Sequence, residues 1–324
     1  MPIVFTDSWI SESRKRYEKH KNIYRPLVYF AATSDDIIFK SIRDQIETVL
    51  ALLPLKQQRV LVQRLRSKDN FQTTYNEVIV GYLLSRMGFQ IEYEKAINGK
   101  TPDWYVNDND RNVFVVEVIS CNLNDKQVAE DKQATDLIDR IGQIPHDYVL
   151  SLSLTNAMGK LDQKHNVVIS EAIEKWLKDD KPMTGYQHLF GDINIEVLTR
   201  NSGYSNVLTM STLRTTWVDP VQLHNRIQKK IYEYGSMMRD STIPFVMAVV
   251  PDYRTGFTHT DFSEFVSKSE LSTDTSSGRR TTLLSGGLWV SRNTDGNWRL
   301  TFVSNPKAVN ALPESTIRIL NSLY

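Results

Sequence analysis

Cysteine is almost missing from this sequence, which has one residue of this type, Cys121, among 324. A single thiol cannot form an internal disulfide, and it cannot build a cluster of thiolate metal ligands. Histidine is scarce as well, and no two histidines stand three or four positions apart, the spacing that a zinc-binding pair on one helix requires. The histidines are His20, His146, His165, His188, His224 and His259. We therefore do not expect zinc chemistry.

Long apolar runs are missing too, since no stretch approaches the ~20 apolar residues of a membrane-spanning helix. Residues 1–9 do not show the charged and then apolar pattern of a secretory signal. Apolar residues at 40% and charged residues at 24% are ordinary for a soluble globular protein. These features predict a cytoplasmic protein with no membrane partner.

Neither sign of charge is in excess, because the formal net charge is +1. Residues 1–70 hold 13 lysines and arginines against 8 acidic residues, and the remainder holds 26 against 30. A mildly basic flank can meet a polyanion such as nucleic acid. A solvated helical surface explains the same distribution, and the charge alone favours this simpler explanation.

The first 70 residues are predicted to form a helical N-terminal region. Apolar residues recur at helical spacing after Ser34, and the acidic pair that follows Ser34 suits a helix N-terminus. Pro54 ends this helix, and the pattern predicts a second helix up to Arg66.

Residues 71–122 are predicted to form a helix followed by strands. The helix runs from Phe71 to Met87, ends before Gly88 and carries Glu77. Pro102 forces an extended entry into the second strand. The strands are predicted at 89–94, 103–106 and 113–119.

The rest of the chain alternates strands with helices. The wholly apolar segment 245–250 is typical of a central strand, and Asp219-Pro220 is a favourable helix start. The Ser- and Thr-rich segment 252–285 is predicted to be a long loop. Further strands are predicted at 148–154, 193–198, 203–212, 287–292 and 298–303, and further helices at 167–178 and near the C-terminus.

This alternation favours an α/β fold with a helical N-terminal extension. Residues 71–324 are predicted to form the α/β domain. Residues 123–215 are either an insertion in that domain or a separate subdomain.

Three acidic residues stand out in the segment 71–122. Glu117 is the lone carboxylate of an apolar strand, and burying an unpaired carboxylate is costly, so it needs a metal, a base or a hydrogen-bond donor beside it. Asp103 opens the neighbouring strand, and Glu77 lies on the preceding helix. Together they can hold Mg²⁺, which takes oxygen ligands and keeps several waters. Each acid taken alone is more often a satisfied structural residue.

The order of these residues resembles that of the PD-(D/E)xK nuclease superfamily. It runs from Glu77 through Pro102-Asp103 to Val116-Glu117-Val118, and the resemblance covers about residues 71–120. It implies a restriction-endonuclease-like fold, with a mixed central sheet flanked by helices. It also implies that Glu77, Asp103 and Glu117 are catalytic and bind Mg²⁺, or Mn²⁺ in its place.

One position departs from the pattern of that superfamily. The lysine expected two residues after the second acid is replaced by Ile119. Some relatives carry this lysine on a neighbouring helix, and Lys230 is our candidate for the same catalytic role, with Lys229 second. A lysine whose stem covers the margin of an amphipathic helix is the simpler interpretation of Lys230.

The resulting hypothesis is a metal-dependent endonuclease that hydrolyses DNA phosphodiester bonds in restriction, phage defence or repair. DNA is the expected partner, RNA stays open as a substrate, and a homodimer is an open alternative to a monomer. The alternative function is a catalytically inactive nuclease-like domain that binds DNA or another protein, which Ile119 motivates.

Overall fold

A computed structural model of the chain divides into two compact units. The first comprises residues 1–122, 218–253 and 257–324, and the second comprises 123–217 and 254–256. No described helix is long and apolar enough to cross a membrane. The structure describes residues 3–17, 27–108, 112–121, 133, 136–138, 140–154, 163–191, 193–200, 207–210, 220–251, 258–267, 281–292 and 297–322.

The first unit begins with helices that pack against one another. Asp36 caps α3, because its side chain accepts a hydrogen bond of 2.7 Å from the Ile38 N–H. Apolar residues of α3, α4 and α5 share one core, so the N-terminal helices and the segment from residue 71 onward are not separate bodies. The helices are α1 (Asp7–Tyr17), α2 (Leu27–Thr33), α3 (Ile37–Leu52), α4 (Leu55–Leu65) and α5 (Phe71–Arg86).

A mixed sheet of six strands forms the centre of the first unit. Strands are numbered along the whole chain, and β4 to β7 belong to the second unit. The order across the sheet is β1 (Gln90–Tyr93), β2 (Trp104–Asp108), β3 (Asn112–Cys121), β8 (Phe245–Pro251), β9 (Leu284–Arg292) and β10 (Trp298–Ser304). β8 is parallel to β3 and β9, and the other pairs are antiparallel. The prediction of an α/β fold with a mixed central sheet flanked by helices is confirmed.

β8 lies inside the sheet and is apolar on both faces, as its sequence predicts. Val246, Ala248 and Val250 join the core formed with α3 and α5. Met247 and Val249 join a second core, which α7 (Pro220–Asp240) and α8 (His259–Ser267) cover. The last described helix, α9 (Glu314–Leu320), packs on the first core through Leu320.

The second unit has its own four-stranded sheet and core. Leu150, Ile173 and Ile195 are among the residues buried there. The strand predicted within 203–212 lies at one edge of the sheet as β7. The order is β5 (Gln187–Phe190), β6 (Ile193–Arg200), β4 (Tyr148–Leu154) and β7 (Val207–Met210), and the unit also contains α6 (Gln163–Asp179).

The prediction of a long loop at 252–285 is wrong for its described part. Residues 259–267 form α8, because Phe262 and Val266 are one helical turn apart and both are buried in the core. The frequent serines and threonines hide this short apolar pattern. Residues 252–257 and 268–280 lie outside the described residues.

Candidate active site

Asp103 and Glu117 are brought together by the pairing of β2 with β3. Trp104 pairs with Val116 in this antiparallel register, so the preceding Asp103 stands opposite the following Glu117. Residues directly opposite each other in an antiparallel pair point to the same face. One oxygen of Asp103, Oδ2, accepts a hydrogen bond of 2.7 Å from the Val118 N–H. That bond fixes the position of Asp103 just before its strand begins.

Glu117 is buried, with 3% of its surface exposed. Its Oε1 lies 2.6 Å from Nζ of Lys230, in a hydrogen-bonded ion pair. Its Oε2 has no hydrogen-bond partner among the residues that the structure describes. A buried carboxylate oxygen left without a donor is costly, so it indicates a place where a further positive or donating group binds.

Lys230 reaches Glu117 from α7. Burial lowers the pKa of Lys230, but the hydrogen bond and the charge of Glu117 raise it by more, so the net pKa is above its ordinary value. Nζ of Lys230 also lies 3.8 Å from Glu233, and Lys229 is exposed and lies 3.9 Å from the same glutamate. Between the two candidates, Lys230 is therefore the lysine that contacts Glu117.

The electrostatic environment of Asp103 is unfavourable to its charged form. Burial raises its pKa well above the ordinary value of 3.8, and the negative charges of Glu117 and Glu77 raise it further. The Val118 N–H and the Lys230 ammonium oppose this shift without cancelling it. Two carboxylates held close together in this way are stabilised by an added cation.

Glu77 has partners that the sequence does not indicate. Its Oε1 lies 2.6 Å from Nη2 of Arg64, and its Oε2 accepts a hydrogen bond of 2.6 Å from the Tyr93 hydroxyl. Burial raises the pKa of Glu77, and Tyr93 and Arg64 oppose that shift. Arg64 lies on α4 and Tyr93 on β1, and no motif or spacing connects either of them with Glu77.

A cleft of about 620 Å³ is lined by these acids and their cationic partners, whereas Tyr93 is not part of its lining. Ser120 lies on its wall, where its hydroxyl accepts a 2.9 Å hydrogen bond from the buried Asn76 side chain. Nη1 of Arg226 donates a 3.2 Å hydrogen bond to the Ser120 carbonyl. The cationic residues of the lining are Arg64, Arg226, Lys229 and Lys230, and the acidic ones are Glu77, Glu94, Asp103, Glu117 and Glu233.

The expected set of three metal-binding acids is not formed. Among the described residues, no group of three or more histidine, cysteine, aspartate or glutamate side chains is placed to hold a metal ion. In addition, both carboxylate oxygens of Glu77 are occupied by Arg64 and Tyr93. Mg²⁺ is commonly held by one or two carboxylates while it keeps several waters. Asp103 and Glu117, whose buried Oε2 has no partner in the described part of the chain, fit a cation of this kind.

Comparisons with protein family models, with curated proteins and with solved structures found no match for this chain.

Proposed function

We propose that this protein is a metal-dependent nuclease with a restriction-endonuclease-like core, and that it hydrolyses DNA phosphodiester bonds with Mg²⁺ or Mn²⁺. One observation carries the proposal. Glu117 lines the same cleft as Asp103 and holds Lys230 with one oxygen, and its other oxygen is buried without a partner among the described residues. Restriction, phage defence or repair is the role that the resemblance implies.

The residues of the cleft have separate tasks in this proposal. Asp103 and Glu117 hold the metal ion, which when bound supplies Lewis acidity and an activated water. Lys230 is held by Glu117 beside the acids, where its ammonium can stabilise negative charge that develops on a phosphoryl oxygen. Arg226 and Lys229 are exposed cations of the lining and suit contacts with neighbouring phosphates.

The test is a cleavage assay on plasmid, linear and single-stranded DNA, with Mg²⁺ or Mn²⁺ and with a chelator. We expect metal-dependent cutting that Asp103→Asn and Glu117→Gln abolish. Lys230→Met is expected to lower the rate about 10²- to 10³-fold, the usual effect of removing one group that stabilises transition-state charge. Circular dichroism of each variant checks that the fold is kept.

Matched control variants change the same residue types away from the cleft. Glu314→Gln alters an exposed glutamate paired with Arg318, and Lys178→Met alters an exposed lysine paired with Glu174. Both controls should cut at the wild-type rate. If a folded, metal-supplied wild type binds DNA without cutting it, the alternative of an inactive nuclease-like binding module replaces the nuclease proposal.

A further inference from the structure

Arg64 lies in the same cleft as Asp103 and Glu117 but contacts different acids. Its guanidinium lies 2.6 Å from Glu77 and 3.1 Å from Glu94, and it also donates a hydrogen bond to the Tyr93 hydroxyl. Burial lowers the pKa of Arg64, while the charge of Glu77 and other neighbours raises it to a net value above the ordinary one. Arg64 is therefore a permanent positive charge built into the wall of the cleft.

The carboxylates of Glu77 and Glu117 are buried to the same degree but are satisfied differently. Their side chains are 5% and 4% exposed. Each oxygen of Glu77 already accepts a short hydrogen bond, one from Arg64 and one from Tyr93. Among the described residues Glu117 accepts a short hydrogen bond on Oε1 alone, because the nearby Tyr234 hydroxyl, whose pKa burial and Glu117 raise, donates its hydrogen bond to the Thr101 carbonyl at 3.1 Å. A cation that reaches Glu117 thus meets a buried oxygen that has no partner among the described residues, whereas both oxygens of Glu77 are occupied.

Charge reinforces this difference. A divalent cation bound by Glu77 would stand next to the Arg64 guanidinium. Two positive charges beside the same carboxylate repel each other in a partly buried site. Glu77 nevertheless lies close enough to Asp103 for its negative charge to raise the pKa of that residue. Glu77 is therefore within electrostatic reach of the pair formed by Asp103 and Glu117, and Arg64 and Tyr93 keep its oxygens occupied.

We propose that Arg64 is a positioning residue that withholds Glu77 from metal binding and limits the site to one divalent cation, held by Asp103 and Glu117. This inference depends on the proposed function. It departs from the resemblance, which assigns Glu77 to the metal. In this arrangement Glu77 supports the site structurally, because its carbonyl oxygen also accepts a 2.8 Å hydrogen bond from the Trp104 indole, one residue after Asp103.

The experiment counts bound Mn²⁺ by electron paramagnetic resonance on the full chain, without DNA. We expect one Mn²⁺ per wild-type chain, which Asp103→Asn and Glu117→Gln remove. Glu77→Gln should change the affinity by less than the ~10-fold that loss of a group around a metal site typically causes. The exposed Glu314→Gln is the matched control and should bind like the wild type.

Arg64→Met tests directly whether Arg64 keeps Glu77 from binding the metal ion. Releasing Glu77 adds a carboxylate to the site and removes a positive charge, so Mn²⁺ should bind about tenfold more tightly or a second Mn²⁺ should appear, because ligand charge sets cation affinity. The double variant Arg64→Met with Glu77→Gln should lose this gain. If Arg64→Met does not fold, Glu77→Gln decides the matter, since it retains the arginine.

Three results overturn the inference and leave the nuclease proposal standing: two Mn²⁺ in the wild type, a loss of affinity of tenfold or more in a folded Glu77→Gln, or unchanged binding in a folded Arg64→Met. A folded wild type that binds no Mn²⁺ overturns both proposals. One bound Mn²⁺ without DNA cleavage overturns the nuclease proposal alone.

Discussion

At the scale of single residues, the ion pair between Glu117 and Lys230 is unequal in burial. The glutamate side chain is 4% exposed and the lysine side chain is 37% exposed. Removing the lysine leaves a buried carboxylate without a cation, whereas removing the carboxylate leaves an ammonium that can turn toward water.

We therefore predict that Lys230→Met destabilises the fold more than Glu117→Gln does. The cost of Lys230→Met should be roughly 2 kcal/mol, less than the ~3–5 kcal/mol of breaking a fully buried pair, because the lysine is partly solvated. Urea unfolding of both single variants and the double variant measures the free energy of interaction between Glu117 and Lys230. Equal costs for the two single variants would contradict this account.

Asp103 gives a second prediction, on stability and pH. Because burial and then the charges of Glu117 and Glu77 raise its pKa, the folded chain binds the Asp103 proton more tightly than the unfolded chain does. Its contribution to stability therefore falls as pH rises from about 3.8 through the raised pKa. Asp103→Asn cannot ionise and should be more stable than the wild type at neutral pH by about 0.5–2 kcal/mol.

The gain from Asp103→Asn should shrink as the pH falls to 3.8 and below, because only below that pH is Asp103 mostly protonated in both states. Chemical unfolding at a series of pH values measures it, with the exposed Glu314→Gln as the control. A gain that stays constant over the whole pH series would show that Asp103 is not the group responsible.

Individual residues differ in how far the sequence predicts their surroundings. Glu117 could be singled out because a carboxylate within an apolar strand must have a partner, and Lys230 because it stands at the edge of an amphipathic stripe. Arg64 and Tyr93 could not be singled out, because each looks ordinary in its own helix or strand. Their contact with Glu77 arises only when α4, α5 and β1 pack together, and no local pattern encodes such a meeting.

At the scale of secondary-structure elements, α5 approaches β2 closely at Gly81. A Cβ atom at this position would lie 2.4 Å from Cζ2 of Trp104, whose side chain is fully buried. A glycine within a helix normally weakens it, so this one has a packing reason. The same helix carries Glu77, whose carbonyl holds the Trp104 indole.

We predict that Gly81→Ala destabilises the protein by roughly 1–3 kcal/mol, the cost of overpacking a core. The control is Gly235→Ala on α7, where the nearest atom to a new Cβ is the Arg239 guanidinium at 3.9 Å. That substitution should be neutral or stabilising by up to about 1 kcal/mol, because alanine favours helix. Thermal unfolding of the two variants compares them, and a stable Gly81→Ala would mean that α5 can move away from β2.

Helices and strands with a clear apolar or capping pattern in the sequence could be predicted, and those with a weak pattern could not. β8 is wholly apolar, and the start of α7 at Pro220 has the favoured residue type for a first helical turn. α8 is nine residues long and stands in a Ser- and Thr-rich segment, so local propensity favoured a loop and burial against the sheet decided otherwise. The strand order also required the structure, because β3 pairs with β8 across a long separation in sequence.

At the scale of the whole molecule, each of the two units has a core of its own. Ile195 is fully buried in the second unit, and Leu288 is fully buried in the first. Truncating a buried leucine or isoleucine to alanine typically costs about 2–5 kcal/mol, from lost burial and the cavity that remains.

We predict that Ile195→Ala raises amide hydrogen exchange in β4 and β6 while β3 and β8 keep their protection. Leu288→Ala should have the opposite pattern, with faster exchange in the first unit. Exchange followed by mass spectrometry measures both variants. If either substitution loosens both units equally, the two units unfold as one cooperative body.

The parallel pairing of β3 with β8 has a consequence for how this chain can change over evolution. Glu117 and Lys230 are 113 positions apart, and the intervening chain includes residues 123–217 of the second unit. A parallel connection must in any case leave one end of the sheet and return to the other, and the entropic penalty of a longer connection grows by only about 0.6 kcal/mol for each doubling of its length. The segment between β3 and α7 is thus a place where a whole module can be replaced, lengthened or shortened during evolution. The packing of β3 and α7 that sets Glu117 beside Lys230 would be inherited unchanged.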